Sequence, residues 1–80
     1  MEYPFDKVTV ADVLMQLNPK VSNTIMIYRI VDGVPVLKLE QMYLDFINDP
    51  VGLYLPAFVK DFNVERDEED AHNDVINFYI

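Results

Sequence analysis

Between residues 24 and 39 the chain carries two largely apolar, β-rich runs, and on either side the apolar positions recur with the period of a helix. The runs 24–31 and 34–39 are rich in β-branched residues and are separated only by Asp32-Gly33. Asp-Gly between two such runs predicts a hairpin, because a type I′ turn needs positive φ at both central residues. A two-residue turn also sets the register. Val31 falls opposite Val34, Ile30 opposite Pro35, Arg29 opposite Val36, Tyr28 opposite Leu37 and Ile27 opposite Lys38. Alternation then puts Met26, Tyr28, Ile30, Leu37 and Leu39 on one face, and Ile25, Ile27, Arg29, Val31, Val34, Val36 and Lys38 on the other. Both cations belong to the second set, so the first is expected to face the core. Pro35 has no N–H to donate and predicts an edge position for its strand. The first strand, free of proline, is expected to be central.

Helical periods flank the hairpin. Thr9-Val-Ala-Asp12 reads as a capping box, and Val10, Val13, Leu14 and Leu17 form one apolar stripe behind it. Asn18-Pro19 ends this helix, since the residue before proline is pushed out of the α region. After the second strand, Leu39, Met42, Tyr43, Phe46 and Ile47 share a helical face, with Glu40 and Asp45 pointing away. Glu40 in the first turn suits the helix dipole. Asn48-Asp49-Pro50 stops the second helix.

Residues 57–65 alternate as a strand, with Phe58, Phe62 and Val64 against Val59, Asp61 and Asn63. Lys60 on the Phe side predicts partial entry into the sheet or a bulge. Residues 66–73 read as an acidic hairpin loop, and 74–80 as a final strand with Ile76, Phe78 and Ile80 on one side. Residues 1–8, carrying Tyr3, Pro4 and Phe5, are expected to pack across the end of the first helix.

The order α-β-β-α-β-β predicts one α+β domain over residues 1–80: two layers, with both helices on one face of a mostly antiparallel four-stranded sheet. The expected core is Met26, Tyr28, Ile30 and Leu37 with Val13, Leu14, Leu17, Phe46, Phe62 and Phe78.

Composition narrows the function classes. A hydrophobic content of 51% is ample for a core and argues against disorder. Absence of cysteine excludes disulfides and thiolate metal sites and fits a reducing cytoplasm. No apolar run approaches a membrane span, and no basic segment leads into an apolar one at the start, so the reading is a soluble, cytoplasmic protein. A net charge of −8 argues against direct binding of nucleic acid or anionic membranes. The charge is uneven: Glu65, Asp67, Glu68, Glu69, Asp70 and Asp74 stand against Arg66 alone within ten residues.

Candidate chemistry is sparse. His72 is the single histidine and Ser22 the single serine, and the two are expected to lie on different turns. The acidic run lacks the central glycine and alternate oxygens of a calcium loop, so it is read as a solvated patch. Asp32-Gly33 precedes no helix and is turn chemistry, not a phosphate loop. No cofactor, metal site or catalytic residue is expected. What remains is an aliphatic face on the hairpin, Ile25, Ile27, Val31, Val34 and Val36 flanked by Arg29 and Lys38, and exposed apolar patches mark protein contacts.

The 9–17 helix, the 25–31 strand, the Asp32-Gly33 turn and Met42-Tyr-Leu-Asp45 together resemble the layout of small acidic proteins encoded by phages and mobile elements of low-GC Gram-positive bacteria. Some of those proteins block host defence or DNA-processing proteins, among them anti-CRISPR proteins and acidic DNA mimics. The residues are thus read as those of a non-catalytic protein-binding module, which the resemblance extends to a phage-type inhibitor or regulator; the alternatives are an acidic nucleic-acid mimic and a structural homo-oligomer. The resemblance assigns no functional residue.

Overall fold

The structure, a computed structural model, describes residues 8–49, 52 and 54–80, apart from the side chain of Ala71. The expectations for residues 1–7 and for Pro50 lie outside the described residues. In chain order the elements are α1 (Val10–Leu17), β1 (Thr24–Val31), β2 (Val34–Met42), α2 (Tyr43–Ile47), β3 (Asp61–Glu65), a 3-10 turn (Ala71–Asn73) and β4 (Val75–Tyr79).

Helix α1 begins at the expected capping box. Thr9 Oγ1 accepts from the Asp12 N–H at 3.2 Å, and the Asp12 carboxylate accepts from the Thr9 N–H at 3.0 Å. The next free donors of its first turn, Val10 N–H and Ala11 N–H, go to the carbonyls of Ala57 and Leu55, both at 3.0 Å. The segment before β3 is thus tied to the start of α1 through the helix's own unsatisfied groups. At the other end Asn18 takes the left-handed conformation, φ 49°, which asparagine tolerates better than most residues.

The hairpin turn is as expected: Asp32 and Gly33 have φ 51° and 78°, both positive. The expected register holds from Val31↔Val34 to Tyr28↔Leu37 and then slips, so that Ile27 faces Leu39 rather than Lys38. Lys38 is the extra residue of a β-bulge. The slip lets β2 run on to Met42 and leaves α2 only Tyr43–Ile47, so Glu40 lies in the strand and not in a first helical turn. Met42 offers α2 no side-chain cap. The helix starts by donating Tyr43 N–H to the Asn23 carbonyl at 2.6 Å and Leu44 N–H to the Val21 carbonyl at 3.0 Å.

The four strands lie in the order β2-β1-β4-β3. Both hairpins are antiparallel, but β1 and β4 pair in parallel, Thr24↔Val75 through Tyr28↔Tyr79. The sheet is therefore mixed, which corrects the mostly antiparallel expectation. Edge strands β2 and β3 run the same way, and residues 43–60 carry the chain back between them, the long crossover that parallel strands need. Nothing in the period of either hairpin reveals this, because pairing direction is set by the return path. The third strand is also shorter than its alternating pattern: Phe58 contributes only an isolated bridge to Thr9 and is 60% exposed.

The core lies on the face opposite to the expected one. Ile25 and Ile27 are fully buried, in one cluster with Val10, Val13 and Leu14 of α1, Phe46 of α2, and Ile76 and Phe78 of β4. Leu17, Leu39, Phe62 and Val64 pack against its margin. Of the other hairpin set, Met26, Tyr28 and Ile30 are half-buried and Leu37 is 46% exposed. The cations that had marked a solvent face mislead for two local reasons. Arg29 shares the parity of Ile25 and Ile27 but stands further along β1, where burial has ended. Lys38 is taken out of the alternation by the bulge. A strand face is covered only over the length of the elements above it.

Candidate interaction surfaces

The proposed contact set divides in two. Ile25 and Ile27 are core and present nothing to a partner. Arg29, Val31, Val34, Val36 and Lys38 remain exposed on the hairpin's far half, joined by Leu37. Val31, Val34 and Val36 are 44%, 58% and 39% exposed, an aliphatic tip beside the turn; Leu37, 46% exposed, lies opposite Tyr28 on the other face.

The same hairpin has a blunted edge. Ile30 donates its N–H to Ile80 at 3.2 Å, and the Tyr28 carbonyl accepts from Ile80 N–H at 2.8 Å, so both point towards β4. Their partners across the hairpin, Pro35 and Leu37, must then turn their own backbone groups outward. Proline places no donor there, and the bulge at Lys38 breaks the edge just beyond. Both devices oppose addition of another strand. Contacts at this hairpin run through side chains.

The acidic run is a folded loop held by its own carboxylates. Asp67 Oδ1 accepts from the N–H groups of Glu69 and Asp70 at 2.9 and 3.3 Å. Asp70 Oδ1 accepts from His72 N–H at 2.9 Å. Asp74 Oδ1 accepts from Asp67 N–H at 2.9 Å, and its Oδ2 meets Arg66 at 3.5 Å. Asp74 is buried, so of the expected patch only Glu65, Asp67, Glu68, Glu69 and Asp70 face solvent, Asp67 partly. The Glu69 N–H, followed by Asp70 N–H and Asn73, holds the Asp67 carboxyl below its ordinary value against an opposing desolvation effect. Among the described residues no three His, Asp or Glu side chains converge as cation ligands.

Ser22 and His72, expected on separate turns, do meet: the Ser22 hydroxyl donates to the His72 main-chain carbonyl at 2.9 Å. This bond ties the turn before β1 to the acidic loop. It engages the carbonyl, not the imidazole, so it is not a nucleophile–base pair. His72 is exposed and lines neither of the two clefts described next. One, of about 420 Å³, is an apolar groove between α1 and α2 with Leu14, Met15, Tyr43, Ile47 and Leu55 in its walls. The other, of about 160 Å³, lies by Lys20, Arg66 and Asp74.

The surface that sequence reasoning missed is the sheet face turned away from the core. Tyr28 of β1 and Tyr79 of β4, neighbours across the parallel pair, stack with centroids 5.3 Å apart and planes 17° from parallel. Beside them the buried Asn77 side chain donates to Asn63 Oδ1 at 2.9 Å, and Asn63 Nδ2 donates to the Tyr79 hydroxyl at 3.3 Å. Register puts Glu40 on this face through Met26, and Asp61 and Glu65 through Tyr79 and Val75. The signal was present in the sequence as Tyr28, Asn77 and Tyr79, but the face assignment sent Tyr28 to the core.

Among the described residues no helix is long and apolar enough to cross a membrane. Comparison of the chain with protein-family models, with curated proteins and with solved structures finds no match in any of the three.

Proposed function

We propose that the domain is a non-catalytic protein-binding module that makes contact through the tip of its first hairpin. The observation that carries this is the exposed aliphatic group Val31, Val34 and Val36, bracketed by Arg29 and Lys38. Fully burying a large aliphatic side chain contributes roughly 1.5–3 kcal/mol, so covering these half-exposed ones together contributes several kcal/mol towards association. The blunted edge favours side-chain packing over strand addition. The resemblance of the sequence pattern to small acidic phage and mobile-element proteins extends the proposal to an inhibitor or regulator whose target is another protein.

The test uses Val34→Glu, which alters a side chain 58% exposed and is expected to leave the fold intact. Solution mass and affinity capture are compared for the native chain and this variant. A partner or second copy held by the native chain and lost by Val34→Glu supports the proposal. Capture of nothing by the native chain, or equal capture by both, refutes it.

A further inference from the structure

We infer that the sheet face turned away from the helices is a second docking surface, and that its occupant is an arginine-bearing basic segment of another protein. The inference does not rest on the hairpin tip, whose Val31, Val34 and Val36 belong to the opposite face of the hairpin. Four features carry it. The stacked Tyr28 and Tyr79 rings lie at the middle of the sheet, on its two central strands. Among the described residues no helix contributes to this face: the buried residues of α1 and α2 belong to the opposite one. Glu40 on one edge strand and Asp61 and Glu65 on the other are exposed carboxylates of the same face, Asp61 directly opposite Tyr79. No Lys or Arg occupies a register position on this face; Arg29, next to Tyr28 in the chain, alternates to the other one.

Chemistry selects the occupant. A guanidinium stacks on a tyrosine face and pairs with a carboxylate in two-pronged fashion, so arginine satisfies both features of this surface at once. Lysine pairs with the carboxylates but stacks less well. A second copy of the chain would bring six like charges together across the contact, and a nucleic-acid strand would bring its phosphates against the three carboxylates. The Asn77–Asn63–Tyr79 hydrogen bonds hold the platform in place before binding, which limits the ordering cost.

The experiment is an NMR titration of the full chain with hexa-arginine, hexa-lysine and hexa-glutamate peptides and with a short single-stranded RNA, from about 0.05 to about 0.5 M salt. Expected are shifts centred on Tyr28, Tyr79, Asn63 and Asn77, tighter for arginine than for lysine, and weakening with salt. Glu40→Gln/Asp61→Asn/Glu65→Gln is expected to abolish them, and Tyr28→Leu to weaken arginine binding roughly two- to fivefold while leaving lysine unchanged. The spectrum itself reports whether each variant is folded; should the triple variant unfold, Asp61→Asn alone is read for a weakened arginine response. Val34→Glu is expected to leave the titration unchanged, which separates this surface from the hairpin tip. Shifts confined to Glu68 and Glu69, equal binding of arginine and lysine in both native chain and Tyr28→Leu, or tighter binding of the RNA would each overturn the inference.

Discussion

Replacing Ile27 by alanine tests the face assignment on which every surface described above depends. Ile27 is fully buried between Leu39 on β2 and Phe78 on β4. Truncating a buried isoleucine to alanine costs about 2–5 kcal/mol, part from lost transfer free energy and part from the cavity left behind. A domain of this size has a total stability of only about 4–12 kcal/mol. Ile27→Ala should therefore lose about 3–4 kcal/mol and lower the melting temperature by roughly 12–30 °C. Its neighbour Met26 points to the other face and is half-buried, so Met26→Ala should lose less than about 2 kcal/mol. The assay is urea unfolding followed by far-ultraviolet circular dichroism, because the chain has no tryptophan. The denaturant slope is compared as well as the midpoint, so that a change in the unfolded ensemble is not mistaken for lost packing. Equal losses for the two variants, or a larger loss for Met26→Ala, would refute the assignment. A folded Ile27→Glu would do so independently, since an unpaired carboxylate cannot sit in that core at small cost.

Three further outcomes follow from local geometry. Gln41 Oε1 is buried without a hydrogen-bond partner, so Gln41→Leu should raise stability by about 1 kcal/mol in the same unfolding assay; a loss of that size would contradict the reading. Gly33 has φ 78° and open space where a Cβ would stand, so Gly33→Ala should lower stability by about 1–2 kcal/mol through backbone strain alone, leaving the hairpin register seen by NMR unchanged. The Asp67 carboxyl titrates below its ordinary value of 3.8 because its ionised form accepts the Glu69 N–H, so its support for the loop is complete above that value and is lost as pH falls through the lowered one. Amide exchange at Glu69 and Asp70 should accelerate in that acid range for the native chain; Asp67→Asn, which keeps an acceptor oxygen but has no charge to lose, should show no such acid-dependent step.

Much of the local architecture was legible because its causes are local. Thr9 and Asp12 close a capping box through bonds three residues apart, and Asp32-Gly33 carries the φ values of its turn in its own side chains. Ile76, Phe78 and Ile80 share the core side of the last stretch, as their period required, although Asn77 between them is buried on the other side. Alternation separates the two faces of β1 correctly, but it does not say which face is covered. That depended on where α1, α2 and Leu55 come to rest, and on a bulge that no residue type near Lys38 announces. The parallel β1–β4 pair, the buried Asp74, the Ser22–His72 contact and the stacked Tyr28–Tyr79 face all join residues far apart in the chain. Such contacts follow from the path of residues 43–60 across the sheet and from the packing of the whole core. Local propensity and spacing determine the elements; which of their faces meet, and which are left for a partner, is decided only when all of them pack together.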